Sequence, residues 1–125
     1  MSNLTLRVLI CGDRNWQDKE MIKDLLLKLN PTVVIEGACR GADVLTGEVA
    51  KKLGIQVLEF PADWTRFGNS AGPIRNKQML DECKPTLVVA FHDNIEKSKG
   101  TKNMLSQAKK AGITTMLLSH NKEKI

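Results

Sequence analysis

The sequence predicts an α/β fold: one doubly wound parallel sheet of about five strands in the order 3-2-1-4-5, with helices on both faces. Two observations support this prediction. Short apolar runs rich in β-branched residues alternate with amphipathic segments along the chain, and none of these runs alternates polar with apolar side chains. Such runs are typical of parallel strands that helices cover on both faces.

The predicted strands are 6–11, 32–35, 56–60, 86–91 and 114–118. Because strand-helix-strand crossovers are right-handed, the simplest arrangement places the first strand at the centre of the sheet. The strand order then reverses between the first and fourth strands, and sheets of this type bind ligands beyond the carboxyl ends of the strands at that point. We therefore expect the ligand site in the turns that follow the strands.

Four amphipathic segments lie between the predicted strands, and Gly, Pro and Asn mark their ends. The boundary signals are Asn30-Pro31, Gly54, Gly72-Pro73, Lys84-Pro85, Gly100-Thr101 and Gly112. The turn over 61–72 is long, and residues 120–125 show no pattern. We expect one domain over 1–119 and a frayed tail over 120–125.

Composition limits the class of protein. A chain of 125 residues, 42% of them hydrophobic, suits one domain, and its apolar runs are far shorter than the ~18 residues that span a bilayer. No N-terminal segment resembles a signal peptide. Cys11, Cys39 and Cys83 form no Cys-x-x-Cys pair, so we expect neither a disulfide nor a metal site. The predicted protein is cytoplasmic, without a cofactor or a membrane partner.

The segment over 33–43 predicts an anion site. It runs from a β-branched strand through Gly37, Arg40 and Gly41 into a helix. Glycine allows close backbone approach, the first N–H groups of a helix are free, and a guanidinium grips phosphate or carboxylate. Surface ion pairs are the alternative role for arginine. However, four of the five arginines lie in strand-to-helix connections or first helical turns: Arg14, Arg40, Arg66 and Arg75, with Arg7 the exception.

Four further residues each have two interpretations. Trp16 and Trp64 lie in turns on the ligand side, where each either stacks on a purine or covers the end of the sheet. Asp43 either bonds ribose hydroxyls or favours the helix dipole. Thr101 either caps the fourth helix or holds phosphate together with its flanking lysines.

Five motifs occur in an order that resembles the YspA/YpsA-related members of the SLOG superfamily. They are Gly12-Asp13-Arg14-Asn15-Trp16, Gly37-Ala38-Cys39-Arg40-Gly41-Ala42-Asp43, Pro61-Ala62-Asp63-Trp64, Ala71-Gly72-Pro73-Ile74-Arg75-Asn76 with Met79, and Gly100-Thr101. This superfamily joins Smf-type DNA-processing proteins to LOG-type cytokinin phosphoribohydrolases. The resemblance implies a Rossmann-like domain over 1–119, a nucleotide or nucleotide-derived ligand, and a homodimer or higher homo-oligomer.

The motifs and the anion-site pattern together predict the ligand-binding residues. They are Gly12, Arg14, Trp16, Gly37, Ala38, Arg40, Gly41, Ala42, Asp43, Trp64, Gly72, Arg75, Asn76, Gly100 and Thr101.

Catalysis is a separate question from binding. The resemblance to LOG-type enzymes implies a Pro-Gly-Gly-x-Gly-Thr-x-x-Glu motif whose glutamate serves cleavage of the N-glycosidic bond. Here the Pro-Gly-Gly is missing, and Met104 occupies the glutamate position. Because this cleavage needs a carboxylate, the remaining candidates are Glu36, Asp13 and Asp43, for which a helix-start or surface role is the alternative.

Three functions follow from these observations. The first is binding of a mononucleotide, an ADP-ribose-like molecule or a similar ligand by a sensor or sequestering protein. The second is an N-glycosidic hydrolase or transferase that acts on nucleoside 5′-monophosphates. The third is single-stranded nucleic-acid binding along a lysine track formed by Lys97, Lys99, Lys102, Lys109 and Lys110.

Overall fold

The computed structural model describes residues 5–121 and contains a five-stranded, all-parallel sheet in the order β3-β2-β1-β4-β5. The strands are β1 (Arg7–Gly12), β2 (Val33–Glu36), β3 (Gln56–Glu59), β4 (Leu87–Phe91) and β5 (Thr114–Leu118). The predicted fold class and strand order are confirmed.

The described chain contains helices α1 (Lys19–Leu29), α2 (Ala42–Lys52), α3 (Trp64–Phe67), α4 (Ala71–Cys83) and α5 (Lys99–Lys110). The predicted boundary signals lie at or within a few residues of the helix ends; Asn30, for example, is the left-handed C-cap of α1. α3 is a single turn within the long connection over 61–72, and the Asp63 side chain caps it by accepting the Arg66 N–H at 3.1 Å. A helix of four residues is too short for apolar periodicity to predict.

The core consists of two layers, one on each face of the sheet. On one face, side chains of the central strands pack against α1 and α2; this layer includes Val8, Ile10, Ile22, Leu26, Val34 and Val49. On the other face they pack against α4 and α5; this layer includes Leu9, Ile35, Met79, Leu80, Met104 and Leu105. Every residue of β2 and β4 is buried, as expected for strands covered on both sides.

The chain after β5 continues along the carboxyl edge of the sheet. His120 contacts Asp18 and Asp93, and Asn121 Nδ2 donates to the Asp93 carbonyl at 2.6 Å. The predicted frayed tail includes these two residues, while 122–125 lie outside the described residues. Within 5–121, no helix combines the length and apolar character that a membrane crossing requires.

Candidate functional site

A pocket of about 470 Å³ lies at the carboxyl edge of the sheet, beside the ends of β1 and β4, where the strand order reverses. The buried residues Cys11, Met79 and Met104 form part of its wall. The turns after β1 and β4, together with the starts of α4 and α5, supply its polar residues. The pocket therefore lies where a sheet of this topology binds ligands.

Most of the predicted ligand residues line this pocket, but a minority do not. Those that do are Gly12, Arg14, Asp43, Trp64, Gly72, Arg75, Asn76, Gly100 and Thr101. A neighbouring depression is bordered by Gly37, Ala38 and Arg40, and a second, beside the start of α1, by Trp16, Arg40 and Gly41. Arg14 borders the pocket and both depressions, so a ligand larger than the pocket would pass this side chain.

Backbone hydrogen bonds join the turns around the pocket. The Asp13 N–H donates to the Phe91 carbonyl at 2.9 Å, and the Ala42 N–H donates to the Asp13 carbonyl at 3.0 Å. Gly41 has φ +82°, and a Cβ there would lie 2.3 Å from the Asp13 carbonyl oxygen, so only glycine fits. Ala42 is predicted to bind the ligand, but its side chain is fully buried and its N–H already donates to the Asp13 carbonyl.

Arg75 of α4 is a buried cation that contacts two turns, those after β2 and β3. Its Nη1 donates to the carbonyls of Gly37 at 2.5 Å and Phe60 at 3.3 Å, and its Nε donates to Asn76 Oδ1 at 3.0 Å. Nη2 lies 3.9 Å from Cys39 Sγ. Because Nη1 and Nε already donate to protein groups, Arg75 is left mainly with Nη2 for a ligand. Its role in binding the ligand stays a prediction.

Asp43 is a buried acid in the pocket wall. Its side chain is 6% exposed, and its Oδ2 accepts the Cys39 N–H at 3.3 Å. Burial raises the pKa of Asp43 to about 6, and the nearby Arg75 guanidinium opposes this shift. The pocket thus contains a carboxyl group that changes charge close to neutral pH.

The start of α5 brings hydroxyl and ammonium groups to the pocket. Ser98 is the N-cap, because its Oγ accepts the Thr101 N–H at 3.1 Å. Thr101 lies inside the first turn of α5 rather than at its N-cap, so its predicted role as the cap is wrong. Its side chain is 5% exposed. Lys97 and Lys99 line the pocket beside this helix start, where free N–H groups and cations both favour an anion.

The two tryptophans have different environments. Trp16 is 4% exposed, with its ring centroid 5.4 Å from that of Phe91 and 4.5 Å from that of His120, against which it stacks. Of the two interpretations of Trp16, this burial supports covering the end of the sheet, and it leaves little of the indole for stacking on a purine. Trp64 is 52% exposed and lines the pocket. Arg66, two positions further along α3, lies over the Phe67 ring and does not line the pocket.

The three candidate catalytic carboxylates are not equivalent. Asp13 and Asp43 line the pocket, and Asp13 Oδ1 accepts the Asn15 N–H at 2.9 Å. Glu36 does not line it, because its side chain is 1% exposed and lies beneath Gly47 of α2. Among residues 5–121, no group of three or more His, Cys, Asp or Glu is arranged to hold a metal ion.

The pocket also includes residues that the sequence did not single out. His92 is 7% exposed, and its Nδ1 accepts the Asn94 N–H at 2.9 Å. Asn15, Cys39, Asn94 and Ser98 also line it. These residues lie in the turns after the strands, which the sequence did indicate, but nothing in a turn's composition shows which side chains face inward.

A comparison with known proteins establishes the family. Residues 6–67 match the model of the YspA, cpYpsA-related SLOG family. The chain is also similar to the Gene 61 protein of Mycobacterium phage D29, with 35% identity over 117 residues that cover 86% of this chain and 91% of that protein. The chain belongs to the YspA, cpYpsA-related SLOG family. Its sheet has the Rossmann-like order that the resemblance implied.

This SLOG chain is also similar to two crystal structures of the NADH-dependent reductase A1-R′, one of them complexed with NAD. The sequence identities are 15% and 14%, and the TM-score is 0.48 for both. The matches cover 94% and 95% of this chain, which spans only 60% and 59% of the reductase chains.

Met104 lies in the pocket wall of this SLOG protein and is 1% exposed. The sequence resemblance predicts that this residue replaces the glutamate of the LOG-type motif. A thioether can neither transfer a proton nor stabilise an oxocarbenium-like centre by charge. Met104 therefore lines the pocket but cannot itself serve as a general acid or base.

Proposed function

We propose that this SLOG protein binds a nucleotide or a nucleotide-derived ligand in the pocket beside β1 and β4, as a sensor or sequestering protein. The observation that supports this most directly is the combination of a cationic helix start with a half-exposed indole in one pocket. Lys97 and Lys99 flank the start of α5, and Trp64 stands on α3. A cationic helix start binds phosphate, and an exposed indole stacks on a base.

The phosphate end of the ligand would lie at α5. The first turn of a helix carries N–H groups without intrahelical partners, and Lys97, Lys99 and Arg14 add positive charge around the pocket. Arg14 is exposed and also borders both neighbouring depressions. A second phosphate or ribose, as in an ADP-ribose-like ligand, would extend along Arg14.

The base end would lie against Trp64. Asp63 caps the helical turn that carries this indole, and a Cβ added to Gly72 would lie 3.6 Å from it. A capped turn in contact with α4 limits the motion of the ring, which lowers the entropy cost of stacking. The exposed indole is thus a suitable platform for a planar base.

Calorimetric titration with AMP, ADP-ribose, NAD and cyclic nucleotides tests this proposal. We expect at least one to bind, and native mass spectrometry of the protein purified without added ligand to identify the nucleotide it carries. If none binds and no nucleotide co-purifies, the proposal is wrong. Comparing adenosine with AMP then isolates the contribution of the phosphate.

Two matched variants on α3 sharpen the test. Trp64→Leu removes the stacking surface, so we expect the Kd for the identified nucleotide to rise about tenfold or more, given ~1–3 kcal/mol per stacked base. Arg66→Ala, two residues away and outside the pocket, should leave the Kd unchanged. Equal effects of the two substitutions would contradict a base site at Trp64.

A second candidate function is hydrolysis of the N-glycosidic bond of nucleoside 5′-monophosphates. Asp43 favours it, because a buried carboxyl in the pocket wall with a pKa of about 6 can take up or release a proton at neutral pH. It would activate the water that attacks the ribose carbon, while the base departs with the bonding electrons. Release of free base, measured by chromatography, tests the activity.

The matched variants Asp43→Asn and Asp13→Asn separate the two carboxylates of the pocket. We expect Asp43→Asn to abolish base release and Asp13→Asn to reduce it less. Glu36→Gln should leave it intact, since Glu36 is outside the pocket. Release that survives Asp43→Asn would show that Asp43 is not the catalytic group.

Nucleic-acid binding has the weakest support of the three functions. Lys102 pairs with Glu96 at 3.3 Å, and Lys109 and Lys110 occupy the last turn of α5, far from Lys99 at its start. Lysines at the last turn favour the helix dipole without any nucleic acid. A salt-dependent mobility shift with single-stranded DNA would support this function.

We also propose a cytoplasmic homo-oligomer. The edge strand β5 carries no charged side chain, and its Met116 and Leu117 are 37% and 45% exposed. Uncharged, apolar edges favour pairing with another strand. Cys11, Cys39 and Cys83 are free, which suits a reducing compartment. Light scattering of the protein and of Leu117→Lys tests the association, which we expect the lysine to weaken.

A further inference from the structure

Two glutamates lie side by side at the ends of neighbouring strands, outside the pocket. Glu36 of β2 and Glu59 of β3 are register partners. A Cβ added to Gly47 of α2 would lie 2.8 Å from Glu36 Oε2 and 3.6 Å from Glu59 Oε2, so the missing side chain of Gly47 makes room for both carboxyl groups. Glu36 is 1% exposed, while the Glu59 side chain is 48% exposed and 3.6 Å from Lys51 Nζ.

The two oxygens of Glu36 differ in their partners. Oε1 accepts the Ala38 N–H at 2.5 Å. Oε2 is buried and accepts no hydrogen bond from any described residue. A buried, ionised carboxylate is unfavourable when one of its oxygens has no hydrogen-bond donor. A protonated Oε2 can instead donate to a neighbouring carboxylate.

We propose that Glu36 is neutral in the folded protein, donates its proton from Oε2 to Glu59, and acts through Oε1 as a positioning residue for the turn over 37–41. Glu59 carries the negative charge of the pair, next to the Lys51 ammonium of α2. The other acid close enough to act on Glu36 is Asp43 of α2, whose negative charge also favours the neutral form.

The turn that Glu36 positions has an unfavourable backbone conformation. Ala38 has φ +60° and Gly41 has φ +82°, and a left-handed alanine costs ~1–2 kcal/mol. The bond from Glu36 to the Ala38 N–H lies within this turn and offsets part of that cost. The proposal concerns the ligand-free protein, so it holds or fails independently of nucleotide binding.

The environment of Glu36 has a predictable effect on its titration. Burial is the largest cause that raises the pKa of Glu36, to about 8; the Ala38 N–H opposes the rise, and Glu59 and Asp43 add to it. The folded state then keeps a proton that the unfolded state releases near pH 4.5. Stability from this group is complete below about pH 4.5 and is lost as pH rises to about 8.

A carboxyl-carbon NMR titration of the full-length protein tests the proposal directly. We expect the Glu36 carboxyl resonance to titrate at least two pH units above an exposed glutamate such as Glu20, and Glu59→Gln to lower the Glu36 midpoint. A Glu36 midpoint in the ordinary glutamate range, or one that Glu59→Gln does not move, would overturn it. A purely structural glutamate would show neither effect.

Substitutions at Glu36 supply an independent readout. Glu36→Gln keeps an acceptor for the Ala38 N–H and a donor for Glu59, so it should fold. It should also remove the contribution of the Glu36 proton to the pH dependence of the folding stability. Between pH 6.5 and 7.5 the folding constant of the unaltered protein should fall about tenfold more than that of Glu36→Gln. Glu36→Ala should expose the Ala38 amide to faster hydrogen exchange. Failure of Glu36→Gln to fold, or an unchanged pH dependence, would contradict the proposal.

Discussion

His120 Nε2 lies 2.7 Å from Asp18 Oδ2, a contact between side chains 102 positions apart. The other ring nitrogen, Nδ1, lies 2.8 Å from Asp93 Oδ2, and the ring stacks on Trp16. Asp18 is the N-cap of α1, and Asp93 lies in the turn after β4. This clasp joins three segments at the carboxyl edge of the sheet and covers the indole of Trp16.

The clasp predicts a pH-dependent stability. Hydrogen bonds with Asp93 and Asp18 raise the pKa of His120 above 6.5, so the folded state favours the imidazolium. This contribution is complete below pH 6.5 and is lost as pH rises through the raised pKa. We expect His120→Gln to lower the Tm more at pH 6 than at pH 8.5, as measured by circular dichroism. Equal losses at the two pH values would contradict a charged clasp; Asp81→Asn, which breaks an exposed ion pair on α4, is the control.

Substitution of Arg75 should destabilise the fold strongly. Arg75→Ala leaves the carbonyls of Gly37 and Phe60 without this donor and leaves Asp43 without its nearby cation, which we expect to cost about 3–5 kcal/mol in the free energy of unfolding. Arg66→Ala on the exposed α3 should change it by no more than about 0.5 kcal/mol. Urea unfolding measures both, and comparable losses would show that the Arg75 contacts are not stabilising.

Two glycines with similar φ angles differ in what an added Cβ would meet. Gly41 has φ +82° and Gly54 has φ +78°, but an added Cβ meets the Asp13 carbonyl only at Gly41; at Gly54 it meets nothing within 4 Å. Gly54→Ala should therefore cost about 1–2 kcal/mol, the strain alone. Gly41→Ala should cost clearly more and displace the turn, as amide chemical shifts would reveal. Equal costs would mean that the turn adapts freely.

Asp43 predicts a second pH dependence, in a more acidic range. Because burial raises its pKa from 3.8 to about 6, stability from the neutral acid is complete below pH 3.8 and is lost as pH rises to about 6. In the unaltered protein, Asp43 should lower the free energy of unfolding by roughly 2–3 kcal/mol between pH 4 and pH 7. Asp43→Asn should abolish this loss. Asp24→Asn on the exposed face of α1 is the control. Denaturant titrations from pH 4 to pH 7 measure the effect, and the prediction is wrong if the stability of Asp43→Asn and that of the unaltered protein change with pH in the same way.

The sequence alone was sufficient for the architecture, because the signals involved are local. Apolar runs without alternation predicted strands covered on both faces, and the right-handed crossover rule left one simple order for five of them. That order fixed the edge of the sheet at which a pocket would form. Gly37, Gly41 and the Gly100-Thr101 pair indicated the segments around it, though not the direction of each side chain.

Only the tertiary structure decided what those side chains contact. Arg75 is 38 positions from the Gly37 carbonyl that it binds, and His120 covers Trp16 from the far end of the chain. Glu36 ends its strand facing α2 rather than the pocket, where Gly47 makes room for it. Local periodicity determines which segments form helices and strands, but burial, desolvation and hydrogen-bond pairing arise between segments that only folding brings together. The sequence therefore determined where a ligand site would lie, and the three-dimensional packing determined which cations and acids remain available there.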